Sequence, residues 1–128
     1  MSKKGGTPNQ PANNLANNGV YVLMDEITMG SCADCLKWIM NHNLAETRLP
    51  QLTIIINSPG GDVHAAFALI DTMKASTIPI KTVGLGLIAS CGFLIFIAGK
   101  KGSRILTPNT SILSHQYSWG SHGKEHEL

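Results

Sequence analysis

The order of apolar and polar positions along the chain predicts strands that alternate with helices. Apolar or β-branched runs occupy residues 20–24, 52–56 and 80–84, and the middle run is typical of a strand buried on both faces. After each run, apolar residues recur three and four positions apart, which is the spacing of one helical face. These faces comprise Cys32, Cys35, Leu36, Ile39 and Met40, then Val63, Ala66, Phe67, Ile70 and Met73, and finally the apolar residues of 91–98.

Two shorter runs predict further strands near the end of the chain. Residues 104–106 and 111–114 flank the turn sequence Thr-Pro-Asn-Thr. Strands that alternate with helices of about a dozen residues favour an α/β fold, in which helices cover both faces of a largely parallel sheet.

The beginning of the chain differs in composition from the rest. Residues 1–18 are rich in Asn, Gly and Pro, so burial of apolar side chains cannot offset the entropy lost on ordering them. We expect these residues to form a mobile arm and residues 19–128 to form one domain. A chain of 128 residues can bury roughly two thirds of its surface, and a second domain is not expected.

Composition and charge argue against several classes of partner. The net charge is only +2 and the basic residues do not follow one face, so no nucleic-acid surface is expected. The apolar run 84–99 is 16 residues long and contains Ser90 and several glycines, whereas a membrane span needs about 18 to 20 apolar residues. An odd number of cysteines and the absence of a secretory signal at the start indicate a cytoplasmic protein.

Side chains suited to chemistry follow three of the predicted strands. The sequence Asn-Ser-Pro-Gly-Gly follows residues 52–56, Ser90 follows the strand that begins at residue 80, and His115 follows residues 111–114. Active sites of parallel sheets lie at the carboxyl ends of strands, and a Ser, a His and a glycine-rich turn are groups used in acyl transfer. On spacing alone two other interpretations stay open: Ser90 bonds its own backbone at a tight crossing, and the two glycines form a plain turn.

Three further patterns are explained without chemistry. The sequence His-Gly-Lys-Glu-His at 122–126 matches a metallopeptidase pattern but has no downstream ligand, so we expect no metal site. Cys32 and Cys35 share an apolar helical face, which indicates buried structural thiols. His42 and His64 are expected at solvated helix positions.

Two long stretches of the chain resemble the ClpP peptidases, the proteolytic subunits of the Clp protease. These are "IINSPGGDVHAAFALIDTMK" and "GLIASCGFLIFIAGKKGSRILTPNTSILSHQ", and the resemblance extends over residues 20–125. It rests on the Ser-Pro-Gly-Gly turn, the Ala-Ser-x-Gly turn and a His-Gln pair after a strand. The 25 positions between Ser90 and His115 also fit the family.

The resemblance implies a fold, a site and an activity. The fold would be that of the ClpP/crotonase superfamily, with repeated β-β-α units and a largely parallel sheet flanked by helices. Ser90 would be the nucleophile of a serine endopeptidase and His115 its general base, and the backbone N–H groups of Gly61 and Cys91 would form the oxyanion hole. Substrate would bind along the backbone of Gly60, Asp62 and Val63.

The resemblance also implies partners. The family's substrate is unfolded polypeptide, which an AAA+ ATPase unfoldase of the Clp type feeds into a ring of identical subunits. No cofactor is implied.

The sequence departs from the family pattern after His115. The family's triad Asp and the handle helix through which two rings interlock both come later in the family, and 13 residues follow His115 here. Glu125 and Glu127 are speculative substitutes for the Asp. One alternative is therefore a catalytically impaired or non-catalytic ClpP-like ring subunit, and a weaker one is a crotonase-type acyl-CoA enzyme, whose enolate chemistry needs no nucleophile.

Overall fold

A computed structural model describes residues 14–114 of the chain. A 3-10 helix over Ala16–Asn18 precedes five strands and three α-helices. The strands are β1 (Val20–Met24), β2 (Leu52–Ser58), β3 (Ile80–Ala89), β4 (Arg104–Leu106) and β5 (Ser111–Leu113), and the helices are α1 (Met29–Leu44), α2 (Val63–Ala75) and α3 (Cys91–Ile97).

All five strands belong to one parallel sheet. The order across the sheet is β1-β2-β3-β4, and β5 also pairs with β3. β2 and β3 are central, and β2 alternates between buried and half-buried residues along its whole length. Parallel neighbours need crossover connections, and α1 and α2 supply them between the first three strands. The α/β fold with a parallel sheet flanked by helices is therefore confirmed.

Both long helices begin at residues with side chains that cap the backbone. Thr28 and Ser31 form a reciprocal capping box, so α1 begins before Ser31, at Met29. The Asp62 carboxylate accepts hydrogen bonds from the backbone N–H groups of His64 and Ala65, which starts α2 directly after the glycine-rich turn.

β3 is longer than the run of residues 80–84 predicted. It continues to Ala89 through a bulge at Leu85 and Gly86, where Gly86 has a φ of 70°. The side-chain amide of Asn57 donates to the Leu85 carbonyl at 2.8 Å and holds the bulge against β2. The prediction ended this strand at Gly84, whereas the observed strand continues beyond the bulge.

β4 and β5 lie in line beside two different parts of β3. β4 pairs with residues 82–84 and β5 pairs with residues 87–89, both in parallel, so the turn between them does not reverse the chain. The hydroxyl groups of Thr107 and Thr110 both donate to the Gly84 carbonyl, which fixes this turn beside the bulge.

The core lies between the sheet and the helices and contains all three cysteines. Cys32 and Cys35 are buried on the inner face of α1, which confirms their prediction as buried thiols. Cys91 is equally buried at the start of α3.

The chain between Ala16 and Asn18 is attached to α1. The Trp38 indole N–H donates to the Ala16 carbonyl at 2.9 Å, and Nε2 of His42 lies at the same distance from this oxygen. Trp38 thus supplies Ala16 with a hydrogen-bond partner that composition does not reveal. His42 packs edge-on against Trp38 at 5.4 Å and is half-buried, whereas His64 is exposed as predicted.

Within residues 14–114, no helix has the length and apolar character needed to cross a bilayer. The apolar run 84–99 is divided between the end of β3 and the short helix α3.

We expect the stability of the fold to decrease as the pH rises above 9. Burial raises the pKa of the Cys35 thiol far above its ordinary value of 9.0, so this thiol stays protonated in the folded chain and ionises in the unfolded chain. The contribution of the Cys35 thiol to the free energy of unfolding is therefore complete below pH 9. As the pH rises further, this contribution falls by about 1.4 kcal/mol per pH unit. Urea unfolding between pH 8 and pH 10.5 measures this slope. The Cys35→Ala variant should show a shallower slope, and equal slopes would contradict the assignment.

Candidate active site

Ser90 lies at the junction between the end of β3 and the start of α3, in a strained backbone conformation. Its φ of 54° and ψ of −127° make it the single non-glycine residue with positive φ in the described part of the chain. Such conformations cost on the order of 1 to 3 kcal/mol and persist only where surrounding contacts impose them. The sequence lacks the G-x-S-x-G motif because residue 88 is Ile, yet Ser90 lies on a strained strand-to-helix turn, as the serine of a nucleophile elbow does.

Strand pairing fixes the backbone of Ser90 from the β5 side. The Ser90 N–H donates to the Leu113 carbonyl at 2.8 Å, and Ala89 is the register partner of Leu113. Leu113 precedes His115 by two positions in the sequence. His115 itself lies outside the described residues, as do Glu125, Glu127 and the histidines at 122 and 126.

The glycine-rich turn lies directly against Ser90. Gly60 has a φ of 105°, and a Cβ atom on it would lie 2.7 Å from the Ser90 Cβ and 3.1 Å from the Ala89 carbonyl oxygen. Gly61 has a φ of 150° and approaches Ile27 so closely that a Cβ there would overlap the Ile27 carbonyl. Both positions therefore require glycine, for space as well as for backbone conformation.

The direction of the Gly61 N–H follows from the pairing of its neighbours. Ile27 donates to the Gly60 carbonyl at 2.9 Å and accepts from the Asp62 N–H at 2.7 Å. Backbone groups of successive extended residues point to opposite sides, so the Gly61 N–H points away from Ile27. Ile27 is a residue that the sequence analysis missed, because nothing in an apolar side chain indicates that its backbone orients a turn.

Cys91 lies where the turn and the helix meet. Burial raises the pKa of its thiol, while the backbone N–H groups of Gly61 and of Cys91 itself oppose that rise. Gly60 lies against Ser90 and Cys91 follows Ser90 directly, so the backbone N–H groups of Gly61 and Cys91 belong to the residues next to this junction. This arrangement has the composition of an oxyanion hole, in which fixed N–H groups stabilise a developing negative charge.

The other predicted substrate contacts are largely occupied within the fold. The Asp62 N–H is bonded to Ile27, and its carboxylate caps α2 at 2.8 Å from the His64 nitrogen. Val63 is half-buried at the first position of α2. An added substrate strand would therefore find its free backbone groups at Gly61 rather than along residues 62–65. Residues 14–114 contain no cluster of three or more side chains able to hold a metal ion.

A family model described as Clp protease matches residues 3–128 of the chain. The chain belongs to the Clp protease family. It is 42% identical over 84 residues to ATP-dependent Clp protease proteolytic subunit 2 of Thermobifida fusca. The aligned residues make up 66% of this chain and 41% of that protein. It is 41% identical over 99 residues to ATP-dependent Clp protease proteolytic subunit 1 of Corynebacterium jeikeium, with 77% and 50% coverage.

Solved structures of the Clp protease family have the same fold. A ClpP1 mutant from Listeria monocytogenes aligns with a TM-score of 0.73 and 31% identity over 80% of this chain and 59% of that one. The ClpP protease catalytic domain from Plasmodium falciparum aligns with a TM-score of 0.73 and 30% identity, over 80% and 56%. The chain spans half or less of the length of the two curated relatives named above.

Replacing Ser90 by glycine should stabilise the fold. Glycine adopts positive φ without the steric cost that Ser90 incurs, so we expect Ser90→Gly to raise the free energy of unfolding by about 1 kcal/mol. Ser90→Ala keeps the Cβ atom and the strain, and is the matched control. Urea unfolding of both variants measures the effect. A Ser90→Gly chain no more stable than Ser90→Ala would show that the backbone there is unstrained.

Replacing Gly60 by alanine should destabilise the junction. Gly102 also has positive φ, at 88°, but a Cβ atom there would meet nothing within 4 Å. Both substitutions therefore impose backbone strain, and only Gly60→Ala adds a contact with Ser90. We expect Gly60→Ala to cost about 1 to 3 kcal/mol more than Gly102→Ala in thermal or urea unfolding. Equal costs would indicate that the turn does not press on Ser90.

Proposed function

We propose that the chain is the nucleophile-bearing part of a ClpP-type serine endopeptidase. The observation that carries the proposal is the strained conformation of Ser90 against the Gly60–Gly61 turn. A structural serine in a buried run has no need of positive φ, since it adopts ordinary strand or helix geometry. Strain of this kind collects at active sites, where it presents a reactive atom that a relaxed backbone would turn away.

In the proposed reaction the Ser90 hydroxyl attacks a peptide carbonyl carbon and His115 accepts its proton. The negative charge that forms on the carbonyl oxygen is stabilised by the N–H groups of Gly61 and Cys91. His115 then protonates the leaving amine, and an acyl ester remains on Ser90. Water, deprotonated by His115, hydrolyses this ester and regenerates the hydroxyl.

The assignment of His115 is supported by the geometry of β5. The Ser90–Leu113 hydrogen bond draws the end of β5 to the nucleophile, and His115 is two positions further along the chain. In parallel sheets, residues that follow neighbouring strand ends meet at the same edge.

Substrate, assembly and location follow from the family. We propose unfolded polypeptide as the substrate, held by main-chain hydrogen bonds at Gly61 and with modest, apolar side-chain preference. A ring of identical subunits, an AAA+ ATPase unfoldase and a cytoplasmic location complete the proposal. The relatives are named proteolytic subunits, so neither the non-catalytic ring subunit nor the acyl-CoA enzyme is favoured.

A fluorophosphonate probe tests the proposed nucleophile. The activated hydroxyl should displace fluoride and form a phosphonyl ester at Ser90, which peptide mass spectrometry locates. Ser90→Ala should abolish labelling. His115→Ala should slow it by a factor on the order of 10³ or more, because the serine loses its base.

His64→Ala is the matched control for the histidine. His64 is exposed on α2, so its replacement should leave the labelling rate unchanged. Labelling that persists in Ser90→Ala, or a labelling rate that is unchanged in His115→Ala, would overturn the assignment.

A further inference from the structure

Ser58 is buried between the two elements that carry the backbone donors. It is the last residue of β2, its side chain is 0% exposed, and Thr82 is the other fully buried polar side chain in residues 14–114. We propose that Ser58 is a positioning residue, which holds the Gly61 and Cys91 N–H groups at the spacing that the reaction needs. This inference rests on the proposed function and concerns a residue outside the assigned site.

The first contact of Ser58 is with the glycine-rich turn. Its hydroxyl oxygen accepts a hydrogen bond from the Gly60 N–H at 3.1 Å. Gly60 is buried, so without this acceptor its N–H would lack a hydrogen-bond partner away from water, which destabilises the turn. The bond fixes the Pro59–Gly60 peptide plane, one peptide before the plane that carries the Gly61 N–H. Ile27 already holds the Gly60 carbonyl and the Asp62 N–H, and the Ser58 bond adds a third restraint at the Gly60 N–H, where glycine has few steric restrictions of its own.

The second contact of Ser58 is with the first turn of α3. A Cβ atom on Gly92 would lie 3.2 Å from the Ser58 Cβ and 3.5 Å from its hydroxyl oxygen. The backbone of Gly92 therefore rests on the Ser58 side chain, one residue after Cys91. β2 and β3 are also in register here, with Ser58 opposite Ile88, two residues before Ser90.

One small side chain thus touches the turn on one side and the helix on the other. The distance between the Gly61 and Cys91 donors depends on both contacts. Ser meets both requirements of this position, since it is small and accepts a hydrogen bond. Ala would keep the contact with Gly92 and lose the hydrogen bond to Gly60. The two functions of Ser58 can therefore be separated by substitution.

Labelling kinetics with the fluorophosphonate probe test this role. In Ser58→Ala we expect the maximal labelling rate to fall about 10-fold or more, approaching the 10²- to 10³-fold typical of a lost oxyanion donor. The probe concentration that gives half the maximal rate should not change, because Ser58 lies beneath the site and does not touch the probe. In ¹H–¹⁵N spectra, labelling should shift the Gly61 amide proton of the unsubstituted chain and shift it less in Ser58→Ala.

Thr82→Val is the matched control for lost stability. Thr82 donates to the Phe96 carbonyl at 2.8 Å, so this variant removes the other buried hydroxyl from the same sheet, away from the turn. It should lower the unfolding midpoint and leave the labelling rate within about twofold. If Ser58→Ala fails to fold, Ser58→Cys supplies the same test, since the sulfur fills the site and accepts hydrogen bonds weakly.

Each outcome assigns a cause. No labelling of Ser90 in the unsubstituted chain would refute the proposed function. Normal labelling there, together with an unchanged rate in the Ser58 variant, would refute the positioning role alone. An equal loss in Thr82→Val, or a change confined to the half-maximal probe concentration, would also overturn it.

Discussion

The close approach of Gly60 to Ser90 is the constraint on which the rest of the site depends. It requires a turn without side chains after β2, and it holds Ser90 where a relaxed residue would not stay. Ile27 secures the turn from outside through two backbone hydrogen bonds, and Leu113 secures Ser90 from the opposite edge. The site is thus assembled almost wholly from main-chain contacts. Main-chain contacts of this kind place few demands on the identity of the side chains around them.

Sequence patterns predicted the strands and helices well where burial of one face gives the apolar residues a regular spacing. β1 and β4 were predicted with the bounds observed, and α1 and α2 differ by a few residues at their ends. The extent of β3 was not predictable, because the bulge at Leu85 and Gly86 removes the alternation that marks a strand. The hydrogen bond from the Trp38 indole to the Ala16 carbonyl was also not predicted, because a long-range hydrogen bond leaves no local pattern in the sequence.

The sequence indicated the residues of the candidate site, and the structure shows how the described ones lie relative to one another. Motif resemblance indicated Ser90, Gly61 and Cys91, but no sequence pattern gives the direction of an N–H group or the φ of a serine. The contact of Ser58 with Gly92 and the hydrogen bonds of Ile27 to the glycine-rich turn each join residues more than thirty positions apart along the chain. Composition and spacing do not reveal these roles, because the type and position of a residue do not show which distant backbone groups it contacts.

The stepped register of the sheet restricts how the chain can change in length. Between equivalent rungs, β2 advances two positions from Ile56 to Ser58, β3 advances four from Gly84 to Ile88, and the β4–β5 segment advances six from Leu106 to Ile112. Each added pair preserves which side chains face inward, because strand faces alternate with a period of two. An odd insertion would turn the end of β3 over and send the Ser90 hydroxyl to the opposite side of the sheet. Within the paired part of β3, an insertion that keeps the Ser90 hydroxyl on its present side of the sheet therefore adds an even number of residues.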